Sequence, residues 1–422
     1  MLVELAYGSG RLAVDLPGDR TTVIAPRHLP AAPDARAAVV EALRLPVAGP
    51  RLRDVVRPGQ TVAISICDGT RPQPRRIVVP ALLEELAGVA RPEDIVVLVA
   101  TGTHRGNTEA ELLEMLGREV LEVVDVVNHD AEDAAGLVWM GRFGDGVPVW
   151  LNRRWVEADV RVTTGYVEPH FFAGFSGGPK LAAPGLAGLE TTLVLHDARR
   201  IAHPSARWGI TVGNPVHDDI RAVAAGTGVD FALDVVLDGE QRIVQAFSGE
   251  LFAMHRAACE ASRLSAMRAV PAPFEVVVTS NAGFPLDQNL YQAVKGMSAA
   301  AQIVRDGGTI VCAAECRDGF PDHGSYRGEL LREPTPERLA QSIEARTATQ
   351  RDQWQVQVQA NIQRRVRVVM HTSHLSRANL RDAHLDSTDD IEATVLEALD
   401  RASPTARVCV LPEGPITIPY VA

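Results

Sequence analysis

The sequence predicts an α/β protein of two domains, and three observations carry that prediction. Short apolar runs of strand length alternate with segments of helical periodicity, which points to mainly parallel sheets flanked by helices. The chain has 422 residues, enough for more than one core. Near "RAVPAP" (268–273) the alternation stops and then restarts. The expected division is an N-terminal α/β domain over 1–269 and a smaller one over 270–422, with the last strand able to return to the first.

Taken in order, residues 1–20 alternate apolar and polar around "YGSG" and read as a hairpin. The "GSGRLA" within it mimics a dinucleotide fingerprint, but no helical pattern follows it and no acidic residue stands at the right distance. "TVAISIC" (61–67) is a buried strand and "RRIVVPALLEELAG" (75–88) a helix. "DIVVLVA" (94–100) is a second strand, followed by a helix over 108–117, and "DVRVTTG" (159–165) is a third strand. A helix over 214–228 and a strand over 229–238 come next. Beyond the boundary stand strand 274–280, helix 286–304, strand 308–314, two long helical stretches, strand 366–372 and "ARVCVLP" (406–412).

Composition narrows the function. The formal charge of −11 argues against a nucleic-acid or polybasic membrane role. There is no signal-peptide pattern at the N-terminus and no apolar run long enough to span a bilayer, so a cytoplasmic protein is expected. Five scattered cysteines without a CxxC pair fit reduced buried thiols better than disulfides or a zinc site. Of the 42 basic residues only two are lysine, Lys180 and Lys295, leaving 40 arginines. A lysine kept against that bias points to a need arginine cannot meet: an amine that sheds its proton and forms a covalent bond.

In open α/β sheets ligands gather at the C-terminal ends of the strands. Three loops stand there: "DGTRPQP" with Asp68, Thr70 and Arg71; "TGTHRGN" with Thr101, Thr103, His104 and Arg105; and "VEPHFFAGFSGGPK" with His170 and Lys180. Gly174, Gly177 and Gly178 resemble a phosphate loop, but Pro179 precedes the lysine and Leu181 stands where Ser or Thr belongs. Such glycines permit either close approach to a ligand or simply a tight turn. His196 closes the apolar stretch "LETTLVLH" with no second ligand at ordinary metal spacing, so any metal here needs coordination from outside the protein.

Together "DGTRP", "GTHR", "EPHFFAGFSGGPK" with its later "PG", the following histidine and "LYQAVKG" resemble the nickel-pincer lactate racemase family, in order from 68 to 296. The resemblance implies a nickel(II)-pyridinium-3,5-bisthiocarboxylic acid mononucleotide, which holds nickel through two sulfurs and a ring carbon. It places a thioamide link at Lys180, the protein's nickel ligand at His196 and the acid/base pair at His104 and His170. Asp68, Gly69, Thr70 and Arg71 would contact cofactor and substrate, with Arg71 suited to a carboxylate. Gln292 and Lys295 would close over the cofactor and substrate from the second domain, placing the active site in an interdomain cleft. The implied activity is racemisation or epimerisation of a small 2-hydroxy acid by reversible hydride transfer, with cofactor-synthesis enzymes as partners. Competing readings are another isomerase or redox step on the same cofactor, a noncatalytic cofactor-binding paralogue, and a zinc hydrolase.

Overall fold

The computed structural model describes residues 1–27, 29–321 and 324–422. The chain forms two compact units: His28–His196 with Ser205–Ser265, and Met1–Arg27 with Asp197–Pro204 and Ala266–Ala422. Each holds a six-stranded sheet. The α/β class expected from the alternation is what the chain adopts.

In the first unit the strand order across the sheet is Ile243–Gly249, Phe231–Leu237, Val160–Tyr166, Val62–Cys67, Ile95–Ala100 and Asp125–Asn128. Only the first pair is antiparallel. From Val62–Cys67 the chain winds outward through the next two strands, then returns to the opposite side with Val160–Tyr166 and Phe231–Leu237. The switch point therefore lies between Val62–Cys67 and Val160–Tyr166, where a doubly wound sheet opens a crevice at its carboxyl end. One sheet face presents Val62, Ile64, Ile66, Val97 and Val99 to the helices Ala35–Arg44 and Arg75–Leu86. On the other face the strands around the switch point carry the small residues Ser65, Thr163, Gly165 and Ala232. Ser65 Oγ donates to Leu181 O at 2.7 Å, and a Cβ on Gly165 would meet Leu181 Cδ2 at 2.9 Å. The small face thus admits the segment carrying Lys180.

In the second unit all six strands are parallel, in the order Asp386–Ser387, Arg367–His371, Val304–Ala313, Phe274–Ser280, Val408–Leu411 and Thr21–Val23. The last strand stays in this unit. Residues 1–27 correct the expected 1–269 domain, because Thr21–Val23 pairs with Val408–Val410 and the hairpin Leu2–Tyr7/Gly10–Asp15 packs Val3, Leu5 and Val14 against Val276, Val278 and Val311. The helix expected over 286–304 is shorter, Leu290–Ala300, because Pro285 precedes it and Asn289 caps it. Between 314 and 366 the described residues form two longer helices, Pro336–Glu344 and Gln353–Gln363, preceded by the short Tyr326–Leu330.

Candidate active site

Three loops leave the carboxyl ends of neighbouring strands around the switch point, and each is built differently. The Asp68 loop is held from within. Arg75, buried at the start of its helix, donates to the carbonyls of Asp68, Arg71 and Gln73 at 2.8–3.0 Å. Gln73 bridges outward, accepting from Cys67 N and donating to Thr164 Oγ1 on the adjacent strand. Neither residue was singled out in the sequence, since an arginine and a glutamine in a polar loop look like surface.

Asp68 is buried and both its oxygens are engaged. Oδ2 meets His104 Nδ1 at 2.7 Å, while Oδ1 accepts from the Thr70 hydroxyl at 2.7 Å and the Thr70 N–H at 3.3 Å. Burial alone would raise the Asp68 carboxyl. The hydrogen bond and charge of His104, the Arg71 charge and the Thr70 hydroxyl outweigh it and hold the group below the usual carboxylate range. An ionised Asp68 only accepts, so His104 carries its proton on Nδ1 and turns the Nε2 lone pair outward. The His104 side chain is 46 % exposed, as a group that must meet a ligand requires.

Arg71 follows in the same loop. The charges of Tyr166, Asp68 and Glu168 overcome burial and strengthen its hold on its proton. Among the described residues its guanidinium donates no hydrogen bond within the chain, so its fork is available to a carboxylate. Gly69, which is exposed, donates its N–H to Asn107 Oδ1 at 3.3 Å and so ties this loop to the one bearing His104. Arg105 points to Glu111 on the exposed surface.

The third loop begins with the short hairpin Pro169–His170/Gly174–Phe175. His170 Nδ1 accepts from Ala173 N–H at 3.2 Å, so a neutral His170 holds its proton on Nε2. The two candidate acid/bases are therefore set in opposite tautomers. Phe172 is a hub: its ring meets His170 edge-on at 4.5 Å and His196 at 5.2 Å, and Lys180 Nζ lies 5.9 Å from its centroid. Lys180 itself rides a one-turn 3-10 helix, Gly178–Leu181. His196 caps the helix Leu189–Leu195, and its Nδ1–H donates to Thr192 O at 2.7 Å, which directs the imidazole lone pair to Nε2.

The glycine run is explained by the protein itself. Gly174, Gly177 and Gly178 all have positive φ (78°, 72° and 51°). A Cβ on them would strike Ile210 O at 2.1 Å, Asp234 Oδ2 at 2.6 Å and His255 Cδ2 at 2.5 Å respectively. Of the two possibilities the sequence left open, the turn and its packing account for these positions. Gln292 and Lys295 lie in the other unit, three residues apart on the half-buried face of Leu290–Ala300. All five cysteines are buried and free; burial pushes Cys67 and Cys316 up to about 12. Among the described residues no three His, Cys, Asp or Glu side chains group to hold a metal. A single imidazole of fixed tautomer, His196, fits a metal whose remaining ligands arrive with a cofactor.

Comparison with known proteins places the chain in a family. Residues 7–209 match the lactate racemase N-terminal domain and residues 269–418 the lactate racemase C-terminal domain. A lactate racemase from Thermoanaerobacterium thermosaccharolyticum is 35% identical over 418 residues, 98% of this chain and 97% of that one. A lactate racemase from Lactiplantibacillus plantarum is 34% identical over 378 residues, 89% of each chain. The solved lactate racemase apoprotein from T. thermosaccharolyticum superposes with a TM-score of 0.92 at 34% identity, covering 99% of this chain and 100% of that one. A Thermotoga maritima protein shares the fold alone, with a TM-score of 0.68 at 18% identity over 93% of this chain.

Proposed function

The chain belongs to the lactate racemase family, and from that premise we propose that it racemises or epimerises a small 2-hydroxy acid at the site built around His104 and His170. It is an isomerase of the type that depends on a nickel-pincer nucleotide. When bound, that nucleotide supplies the hydride acceptor. The rest of the chemistry falls to the chain's own groups.

Arg71 holds the substrate carboxylate by its guanidinium fork, which fixes Cα and the hydroxyl relative to the histidines. His104 accepts the hydroxyl proton at Nε2, and Asp68 steadies the charge that develops on its ring. His170 serves the opposite face; as an imidazolium it returns a proton from Nε2 to the carbonyl oxygen and is left neutral. Inversion needs one neutral imidazole to take a proton and one imidazolium to return it; each ring is anchored through Nδ1, so Nε2 carries that duty on both. The observation that carries the reading is the Asp68–His104 hydrogen bond beside an arginine that donates to nothing else described in the chain.

His196 Nε2 is the nickel ligand, and Lys180 is the site of a thioamide link to the nucleotide. Asp68, Gly69 and Thr70 line the nucleotide site. Gln292 and Lys295 also serve cofactor and substrate binding. Cofactor-synthesis enzymes are required partners, and the protein works in the cytoplasm. Among the described residues no helix is long and apolar enough to cross a membrane.

The test is a substrate deuterated at Cα, given to cofactor-loaded enzyme in ordinary water. The Cα hydrogen that leaves as hydride does not exchange with solvent, so the inverted product should keep its deuterium. Substantial washout at early conversion would overturn hydride transfer. Failure to convert any of a panel of enantiopure 2-hydroxy acids would overturn the substrate class.

A further inference from the structure

Beneath the turn that presents Lys180 lie two buried groups that the reaction does not use directly, Asp234 and His255. Asp234 is on the strand Phe231–Leu237 and His255 on the helix Leu251–Ala266, far apart in sequence. Asp234 Oδ2 accepts from Gly178 N–H at 2.6 Å. His255 Nε2–H donates to Ser176 O at 2.9 Å. Both backbone groups belong to an irregular segment without a ladder partner, so side chains must satisfy them.

The two glycines are cut to these side chains. The missing Cβ of Gly177 faces Asp234 Oδ2, and that of Gly178 faces the His255 ring. The pair that imitates a phosphate loop in sequence is a socket for a carboxyl and an imidazole, two residues ahead of Lys180. His217 stacks on His255 with ring centroids 5.7 Å apart, and hydrogen-bonds the Ala173 backbone nearer His170. Asn214 Nδ2 donates to Phe172 O at 2.9 Å. Burial, and after it the nearby positive charges, depress the two histidines to about 3 and about 4, so both stay neutral. Asp234 also meets the Gly165 backbone on the adjacent strand.

We propose that Asp234 and His255 are positioning residues for the reaction, fixing the turn that aims Lys180 and, through it, the seat of the cofactor relative to His170. The inference rests on the roles given above to Lys180 and His170. In cofactor-loaded enzyme, Asp234→Leu and His255→Leu should each lower kcat about 10- to 100-fold, as a displacement of about an ångström does. KM should stay within about threefold, and the fraction of Lys180 peptide carrying cofactor mass should drop. Asp234→Asn keeps an acceptor for Gly178 N–H, and His255→Gln keeps a donor for Ser176 O. Both should recover kcat to within about fivefold of the parent. Unimpaired leucine variants, or asparagine and glutamine variants as damaged as leucine, would overturn the proposal.

If the leucine variants do not fold, wild-type apoprotein supplies the test. Its His255 should be the Nε2–H tautomer by nitrogen-15 shifts, and its Gly178 amide should exchange slowly; the opposite tautomer or fast exchange would overturn it. Lys180→Arg and His170→Ala run alongside. If those stay active, the reading of the site has failed; if they are inactive while the leucine variants are unimpaired, only the positioning role has.

Discussion

Replacing Asp68 with asparagine keeps its volume and spoils its hydrogen bonding. One oxygen must accept from His104 Nδ1–H and the other from the Thr70 hydroxyl and amide. Only an ionised carboxylate accepts at both ends; an amide must turn its NH₂ toward one of them. Asp68→Asn should therefore lower kcat by about 10²–10⁴ through the wrong His104 tautomer. Nickel content should hold, whereas His196→Ala should lose nickel first; equal metal loss in both would erase the distinction between base and ligand. Because the Asp68 carboxyl lies below its unfolded value, its contribution to stability is complete above about pH 4 and is lost as pH falls through the lowered value. The pair thus keeps its carboxylate across pH 5–7. Asp68, His104, His170, Lys180 and His196 stand out in the sequence because each closes or follows an apolar run. That Asp68 serves His104 does not, because the two lie on loops joined only by strand pairing.

At the scale of elements, the strands flanking the switch point were found to within a residue or two. The hairpin Leu137–Phe143/Val147–Asn152 was missed because its register shifts between Trp139 and Gly141, which breaks the alternation a reader looks for. The strand Phe231–Leu237 was found, but its aspartate carried no signal. Burial raises Asp234 to about 7, well above its unfolded value. Between about pH 4 and 7 the native state then holds this proton more tightly than the unfolded chain, so the group's contribution falls as pH rises and is least above 7. His217 and His255 act in the opposite sense: their contribution is complete above about pH 6.5 and lost as pH falls through their lowered values. Asparagine at 234 imitates the protonated acid. Asp234→Asn should raise stability at pH 8, on the order of 2–4 kcal/mol, and lose that gain toward pH 5. Thermal unfolding at the two pH values checks it, and an equal shift at both would count against a buried titrating carboxyl.

For the whole molecule, two α/β units were legible from the restart of the pattern near 270, but not how the chain shares itself between them. The chain passes from one unit to the other after Arg27, His196, Pro204 and Ser265. No local pattern announces such crossings, because a three-residue strand such as Thr21–Val23 gains its identity only from the neighbour it pairs with. A fragment of residues 1–269 would keep the hairpin and Thr21–Val23 but lose Val408–Leu411, the sheet partner of Thr21–Val23, and Ile418–Val421, the partner of Met267–Val270. It would expose Val3, Leu5, Val14 and Leu16, which are buried in the whole chain. At about 1.5–3 kcal/mol per large side chain returned to water, the loss rivals the stability of a typical domain. Asp197–Pro204 would also be stranded, since Gln357 donates to Ala198 O within the missing part. The expected result is a fragment that aggregates or unfolds without a cooperative transition, while the full chain unfolds cooperatively. A soluble 1–269 fragment with a sharp thermal transition near that of the full chain would mean that the N-terminal strands are dispensable to both units.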